Sequence, residues 1–279
     1  MRAQLRKNVT RRSPSIPRKL AWEGAFHLLP LYYVLTLSDL GREGIHNSGS
    51  YRFADHIYAG VPSGRTRLGR WIDAQLLSMP AARAFRGRYQ KAQAIVREAL
   101  ESAAGDVCPL RFLAVPCGIP RDMFELARTL HRENPALLQR IEYHAMDLDP
   151  AVLDLARTFM AESSMRMAGC HLGDALSATD YPDIAFHAIV STGLGDFLDD
   201  AELQIFCRHV YQVLEPRGTF YTSGTARDRR SDVLLQMAEL LPCYRTADQL
   251  ERIFRSLPWS RLELAQDSTG LQTFVRAVK

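Results

Sequence analysis

The chain has 279 residues, 47% hydrophobic and 24% charged, a mix that supplies a buried core and excludes a disordered chain. Its net charge of +4 is lopsided: Arg2, Arg6, Lys7, Arg11, Arg12, Arg18 and Lys19 put +7 into residues 1–19 without an acid, leaving −3 for the remainder. The five cysteines are scattered and form no CxxC pair, which argues against a zinc site or a disulfide framework and for reduced thiols in a cytoplasmic protein.

In chain order, residues 1–19 read as a flexible basic tail, suited to weak contact with an anionic membrane surface. With no interleaved aromatics it is a poor nucleic-acid arm. Residues 20–104 read as a helical cap. "AFHLLPLYYVLTL" is the most apolar stretch, interrupted by His27 and Pro30 and short of the about 20 residues that span a bilayer. "GREGIHNSGS", 41–50, is a loop by composition. "SYRFADHIYAG" reads as a short helix or turn and "VPSGRT" as a break. "RLGRWIDAQLLSM" carries Leu68, Trp71, Ile72, Leu76 and Leu77 at helical spacing. "AARAFRGRYQKAQAIVREALESAA" is a long helix.

Residues 105–279 have another texture, in which short apolar runs alternate with helical stretches. "RFLAV", "RIEYHAMDLD", "RMAGCHLGDA", "IAFHAIVSTG" and "GTFYTSG" predict strands. "PRDMFELARTLHREN", "PAVLDLARTFMAE", "DAELQIFCRHVYQVLEP", "SDVLLQMAELL" and "TADQLERIFRSL" predict helices. This alternation implies an α/β fold with a mostly parallel sheet covered on both faces. "SRLELAQD" and "LQTFVRAVK" close the chain as an antiparallel hairpin at the sheet edge. Pro120 and Pro150 suit first helical turns, and Asp149 suits an N-cap.

Sheets of this class bind ligands beyond the carboxyl ends of their strands. Four ends therefore matter. In "AVPCGIPRD", Gly118 can take positive φ or admit a ligand closely, and the following helix offers free N–H groups to an anion. In "HAMDLDP", Asp147 ends a second strand where a carboxylate can accept from both hydroxyls of a ribose. In "HLGDALS", Asp174 can accept from an exocyclic amine, with the Ala175 N–H beside it. In "AIVSTGLGDFLDD", the small residues Ser191, Thr192 and Gly193 leave room above the sheet. Each of these also has an ordinary meaning as a turn or a loop acid.

Taken together, their order resembles class I S-adenosylmethionine-dependent methyltransferases over residues 110–279. "LAVPCGIPRD" stands where that family has a run close to "LDVGCGTGRD". "AMDLDP" matches its "GIDLDP", "FHAIVSTGLGDFLDD" its "FDLVVSNGVLHHLPD", and "VYQVLEPRGTFYTSG" its "LLRPGGRLVLS". The resemblance implies a Rossmann-like, doubly wound, seven-stranded sheet and S-adenosylmethionine as cofactor. It implies a cofactor site of Val115, Pro116, Cys117, Gly118, Asp147, Leu148, Asp174, Ala175, Ser191, Thr192 and Gly193. The chain departs from the pattern at Ala114, Pro116 and Pro120. Ala114 replaces an acid, so the order of the first turn must come from elsewhere, and His187 replaces the acid of the fourth strand.

In such enzymes the preceding helices close over the site. Tyr51, His56 and Tyr58 are candidates to face the acceptor, and Arg52 to bind the methionine carboxylate in a two-point contact. Asp196 is a second candidate base. No His, Asp and Glu cluster suggests a metal. The apolar cap stretch points to a small apolar, phenolic or acyl acceptor. Two other readings stay open: cyclisation or aminocarboxypropyl transfer, which releases methylthioadenosine, and a non-catalytic cofactor-binding module.

Overall fold

The computed structural model describes residues 16–22, 24–46, 51–103, 105, 109–228, 232 and 242–279. Two compact units account for the chain: Met1–Arg86 with Arg227–Pro242, and Gly87–Ala226 with Cys243–Lys279. Residues 1–15 of the expected tail and the helix expected at 231–241 lie outside the described residues, Asp232 excepted.

The first unit is helical: α1 Ile16–Trp22, α2 Leu29–Leu35, α3 Asp39–His46, α4 Tyr51–Ala59, α5 Arg67–Ser78 and the start of α6 Pro80–Ala103. Residues 16–19, read from their charge as tail, instead begin α1. Ile16 and Leu20 stand one helical turn apart and are buried with Tyr32, Leu35 and Ile45. The loop expected over 41–50 is likewise corrected, because 41–46 belong to α3. Its glycines are packing residues rather than breakers: a Cβ on Gly41 would lie 2.3 Å from the Leu35 carbonyl oxygen, and one on Gly44 3.0 Å from the Phe53 ring. On α5 the buried face is Gly69, Ile72, Asp73 and Leu77, whereas Leu68 and Trp71 are exposed.

The second unit carries a seven-stranded sheet: β1 Leu110–Ala114, β2 Ile141–Asp147, β3 Arg166–Leu172, β4 Phe186–Ser191, β5 Leu214–Thr225, β6 Arg261–Gln266 and β7 Gln272–Val278. Its order is β3-β2-β1-β4-β5-β7-β6. Strands β1 to β5 pair in parallel, and β7 runs antiparallel to both β5 and β6. The expected doubly wound sheet and its closing hairpin are therefore present. Strand order reverses between β1 and β4, the place where open α/β sheets leave a crevice.

Local chemistry explains the helix starts. Asp149 accepts from the Ala151 N–H ahead of Pro150 and caps α9 Pro150–Ala161, as its sequence suggests. Capping boxes at Asp199 with Glu202 and at Thr246 with Gln249 open α10 Asp200–Val213 and α11 Ala247–Phe254. Helix α7 Arg121–Glu133 follows β1. A short helix that the sequence pattern did not reveal, α8 Pro135–Arg140, starts where the Asn134 side chain accepts from the Leu137 N–H. Phe112, Tyr143, Phe186, Phe206, Phe220 and Phe254 are fully buried around the sheet. Side chains of this size each contribute about 1.5–3 kcal/mol when removed from water.

Candidate active site at the strand ends

The turn after β1 is tied to its neighbours by backbone bonds. Val115 N–H donates to the Val190 carbonyl at 2.9 Å and Cys117 N–H to that of Met146 at 2.9 Å. The Asp147 carboxylate completes the tie. One oxygen accepts from the Gly118 N–H at 3.2 Å, with the Cys117 thiol 3.9 Å away. Its other oxygen accepts from the Asp149 N–H at 3.1 Å. The order that Ala114 cannot give to this turn therefore comes from Asp147, one strand away. Burial pushes the Asp147 carboxyl upward, and the N–H groups of Asp149 and Gly118 oppose that shift. Burial also pushes the Cys117 thiol up, which keeps it a neutral donor beside the carboxylate.

Gly118 has φ +50, and nothing lies within 4 Å of the position its Cβ would take. Its backbone therefore presents an open face at the head of α7, a cradle that any side chain would fill. Pro116 follows Val115 through a cis peptide. Leu148, next to Asp147, is an exposed apolar side chain.

At the third strand end, Gly173 N–H donates to the Asp147 carbonyl at 3.0 Å, which joins this loop to the second. Asp174 accepts from the Leu176 N–H at 2.9 Å, and its own N–H donates to Asp180 at 2.8 Å. The Ala175 carbonyl accepts from the Tyr181 hydroxyl at 2.9 Å. At the fourth end, the Ser191 hydroxyl is buried without a hydrogen-bond partner among the described residues, and Thr192 is half-buried. Gly193 adopts φ +96, and a Cβ there would stand 3.2 Å from the Arg88 guanidinium. The expected residues from β1 to β4 thus gather along the carboxyl edge of adjacent strands.

Asp196 has a different environment from the one its loop position suggests. It is buried, with Arg88 Nη1 at 3.3 Å from one carboxylate oxygen. The Thr225 hydroxyl donates to that same oxygen at 2.9 Å, and the Thr225 N–H to the other at 2.9 Å. Burial raises the Asp196 carboxyl, and the Arg88 charge and the Thr225 donors counter it. The oxygens that a general base needs free are occupied, so Asp196 fastens the loop after β4 to the end of β5. Arg245 closes the same loop by donating to the carbonyls of Gly195 at 2.7 Å and Leu198 at 2.5 Å. His187, in place of the family's acid, accepts through Nδ1 from the Arg111 N–H at 3.0 Å.

In the helical unit, Arg52, His56 and Tyr58 lie on α4, and the Tyr51 side chain lies outside what is described. Arg52 is exposed. Tyr58 stacks on Phe85 with ring centroids 5.2 Å apart. His56 Nε2 is 2.8 Å from Asp73 Oδ2. Asp73 is fully buried and also accepts from the Ser38 hydroxyl at 2.5 Å, the Leu40 N–H at 2.8 Å and the Ser63 N–H at 3.1 Å. Burial alone would raise its carboxyl, but the bonds from Ser38, Leu40 and Ser63 and the His56 charge hold it below the usual range. Asp73 and Arg88 were invisible as site residues in the sequence. Each reads as one more charge on a polar helix, and the only hint for Asp73 is its place one turn from both Gly69 and Leu77. Among the described residues, no group of three or more His, Cys, Asp or Glu side chains is placed to hold a metal ion.

Comparison with known proteins agrees with this architecture. A family model described as "Putative methyltransferase" matches residues 4–226. No curated protein sequence matches. A solved protein from Bordetella parapertussis, described as a possible exported protein, is similar with a TM-score of 0.74 and 21% identity, over 90% of this chain and 86% of that one. The CMeT domain of the citrinin polyketide synthase is similar with a TM-score of 0.58 and 16% identity, over 91% and 67% of the two chains. Magnesium protoporphyrin IX methyltransferase from Synechocystis PCC 6803, solved with SAH bound, has a TM-score of 0.52 and 11% identity, over 81% and 93%. Likenesses at these identities concern the fold.

Proposed function

The chain belongs to the methyltransferase family whose model spans residues 4–226, and from that premise we propose that it carries the methyl group of S-adenosylmethionine to a small acceptor. The observation that carries the reading is the open Gly118 turn bonded to the Asp147 carboxylate. It supports a cofactor held by Val115, Pro116, Cys117 and Gly118 at its methionine end. Asp147 receives the ribose hydroxyls on the lone pairs that the Gly118 and Asp149 N–H groups leave free. Leu148 offers an apolar side to the purine, Asp174 and Ala175 bond its edge, and Ser191, Thr192 and Gly193 line the reacting end. The unpartnered Ser191 hydroxyl fits that role, because a buried hydroxyl without an acceptor or donor is otherwise costly.

S-adenosylmethionine supplies a methyl group on a sulfonium, open to in-line displacement. The protein's contribution is alignment and, for an acceptor that must lose a proton, a base. His56 is that base. The ionised Asp73 carboxylate only accepts, so the proton of a neutral His56 ring resides on Nε2 and its lone pair on Nδ1. The acceptor in keeping with the apolar α2 is small and apolar, phenolic or acyl.

The test is incubation of the full chain with S-adenosylmethionine, with and without a small-molecule cell extract, followed by mass spectrometry of the adenosine product. Extract-dependent S-adenosylhomocysteine is expected. Methylthioadenosine as the product would overturn methyl transfer, and absence of cofactor binding by calorimetry would overturn the whole reading.

A further inference from the structure

Eight of the twelve large apolar side chains left exposed among the described residues lie between Trp22 and Trp71, in the helical unit. Five of them lie within four residues, along the chain, of one backbone contact. Tyr33, Val34 and Leu37 follow one another around the end of α2, and the Leu37 carbonyl packs on Gly69, where a Cβ would stand 2.2 Å from its oxygen. On the first two turns of α5, Leu68 and Trp71 stand three residues apart, 55% and 60% exposed. Arg65, Arg67 and Arg70 are exposed beside them. The described acids of this unit are withdrawn: Asp73 and Asp232 are buried, and Asp39, Glu43, Asp55 and Asp228 are half-buried.

We propose that this face docks the protein on an anionic lipid surface, with Leu37, Leu68 and Trp71 entering the headgroup boundary and Arg65, Arg67 and Arg70 meeting lipid phosphates. Exposed tryptophan and leucine interleaved with arginine on a short amphipathic helix is the chemistry of peripheral membrane contact. Charge decides between the occupants. A second copy of the chain would set arginine against arginine, with no exposed acid among the described residues of this unit to pair with them. A nucleic acid would leave Val34, Leu37 and Leu68 against phosphate and sugar. An anionic bilayer satisfies both halves of the face. Arg2, Arg6, Lys7, Arg11 and Arg12 add further charge of the same sign to this unit's sequence. Among the described residues no helix is long and apolar enough to cross a membrane, so the contact is with the surface.

The experiment is co-sedimentation of the full chain with vesicles of mixed phosphatidylcholine and phosphatidylglycerol, against phosphatidylcholine alone, at low and high salt. Binding to the mixed vesicles that weakens with salt is expected. A Leu68→Ser, Trp71→Ser variant, whose changes are solvent-exposed and checked for folding by circular dichroism, should partition at least about tenfold less. Arg67→Glu with Arg70→Glu should lose the preference for phosphatidylglycerol. Equal retention on both vesicle types overturns the proposal. So does full binding by the Leu68, Trp71 variant when serine at the five basic positions of residues 1–15 abolishes it. Self-association that the Trp71 change dissolves, without vesicle binding, assigns the face to a second copy and overturns it as well.

Discussion

The guanidinium of Arg88 lies buried 3.3 Å from the Asp196 carboxylate, 108 positions away in the chain. The pair joins α6 to the loop after β4, where Gly193 with φ +96 lets the guanidinium approach the backbone. Removing one charge strands the other out of water. Arg88→Met is therefore expected to cost about 3–5 kcal/mol in urea unfolding, with part of the loss recovered when Asp196→Asn is added. A loss below about 1 kcal/mol, the scale of an exposed pair, would show that this contact does not hold the loop.

Asp147 has two tasks that substitution can separate. Asp147→Ala removes the acceptor for the Gly118 N–H as well as the charge toward the cofactor, and should weaken S-adenosylmethionine binding by about 1–3 kcal/mol in calorimetry. Asp147→Asn keeps a carbonyl for Gly118 and should lose less. Unchanged affinity in folded Asp147→Ala would remove Asp147 from the site.

Gly118→Val fills the open face of the turn and forces a branched side chain to φ +50. The backbone cost is about 1–2 kcal/mol, visible as a modest fall in Tm. The affinity cost should be larger, at least about tenfold in Kd. A variant that binds the cofactor as tightly as the wild type would place the ligand elsewhere.

His56→Gln should reduce extract-dependent product about 10²–10⁴-fold while cofactor affinity stays unchanged. Asp73→Asn can turn an amide N–H toward Nε2, which favours the opposite tautomer, and should lower kcat and alter the pH–rate profile with little change in KM for S-adenosylmethionine. Equal losses in cofactor affinity and rate for both variants would mark the pair as purely structural.

Acid should destabilise the protein through His144. Burial, and then the neighbouring His171, depress its imidazole to about 4, and the two rings lie 3.1 Å apart between Nδ1 and Nε2. The unfolded chain binds this proton from about pH 6.5 downward, and the folded chain only near pH 4. Stability is therefore complete above pH 6.5 and falls by up to about 3 kcal/mol on the way to pH 4. Urea unfolding of His144→Gln across that window should lack this component, and parallel pH curves for the two proteins would refute the assignment.

Much of the candidate site was legible in sequence because its signals are local. A glycine between an apolar run and a helix marks a turn, and an acid at the end of the next apolar run marks a second strand end, whatever else surrounds them. The proline and cap residues at Asp149 and Pro150 work through their own backbone neighbours, so they too could be read directly. Charge alone misled at residues 16–19, where Ile16 and Leu20 share one buried helix face, and composition misled at Gly41 and Gly44, which admit neighbouring groups instead of ending a helix.

By itself the sequence determined the alternation of strand and helix, the parallel sheet with its antiparallel close, and the turns at the strand ends proposed as the ligand edge, since each follows from periodicity and turn chemistry within a few residues. Tertiary structure alone decided which charges are buried. Asp73, Arg88, Asp196 and Arg245 resemble solvated surface residues in one dimension, and only packing between distant segments takes them out of water and obliges them to find partners. The same packing left Leu68 and Trp71 outside, because Gly69 and Asp73 occupy the inner face of their helix.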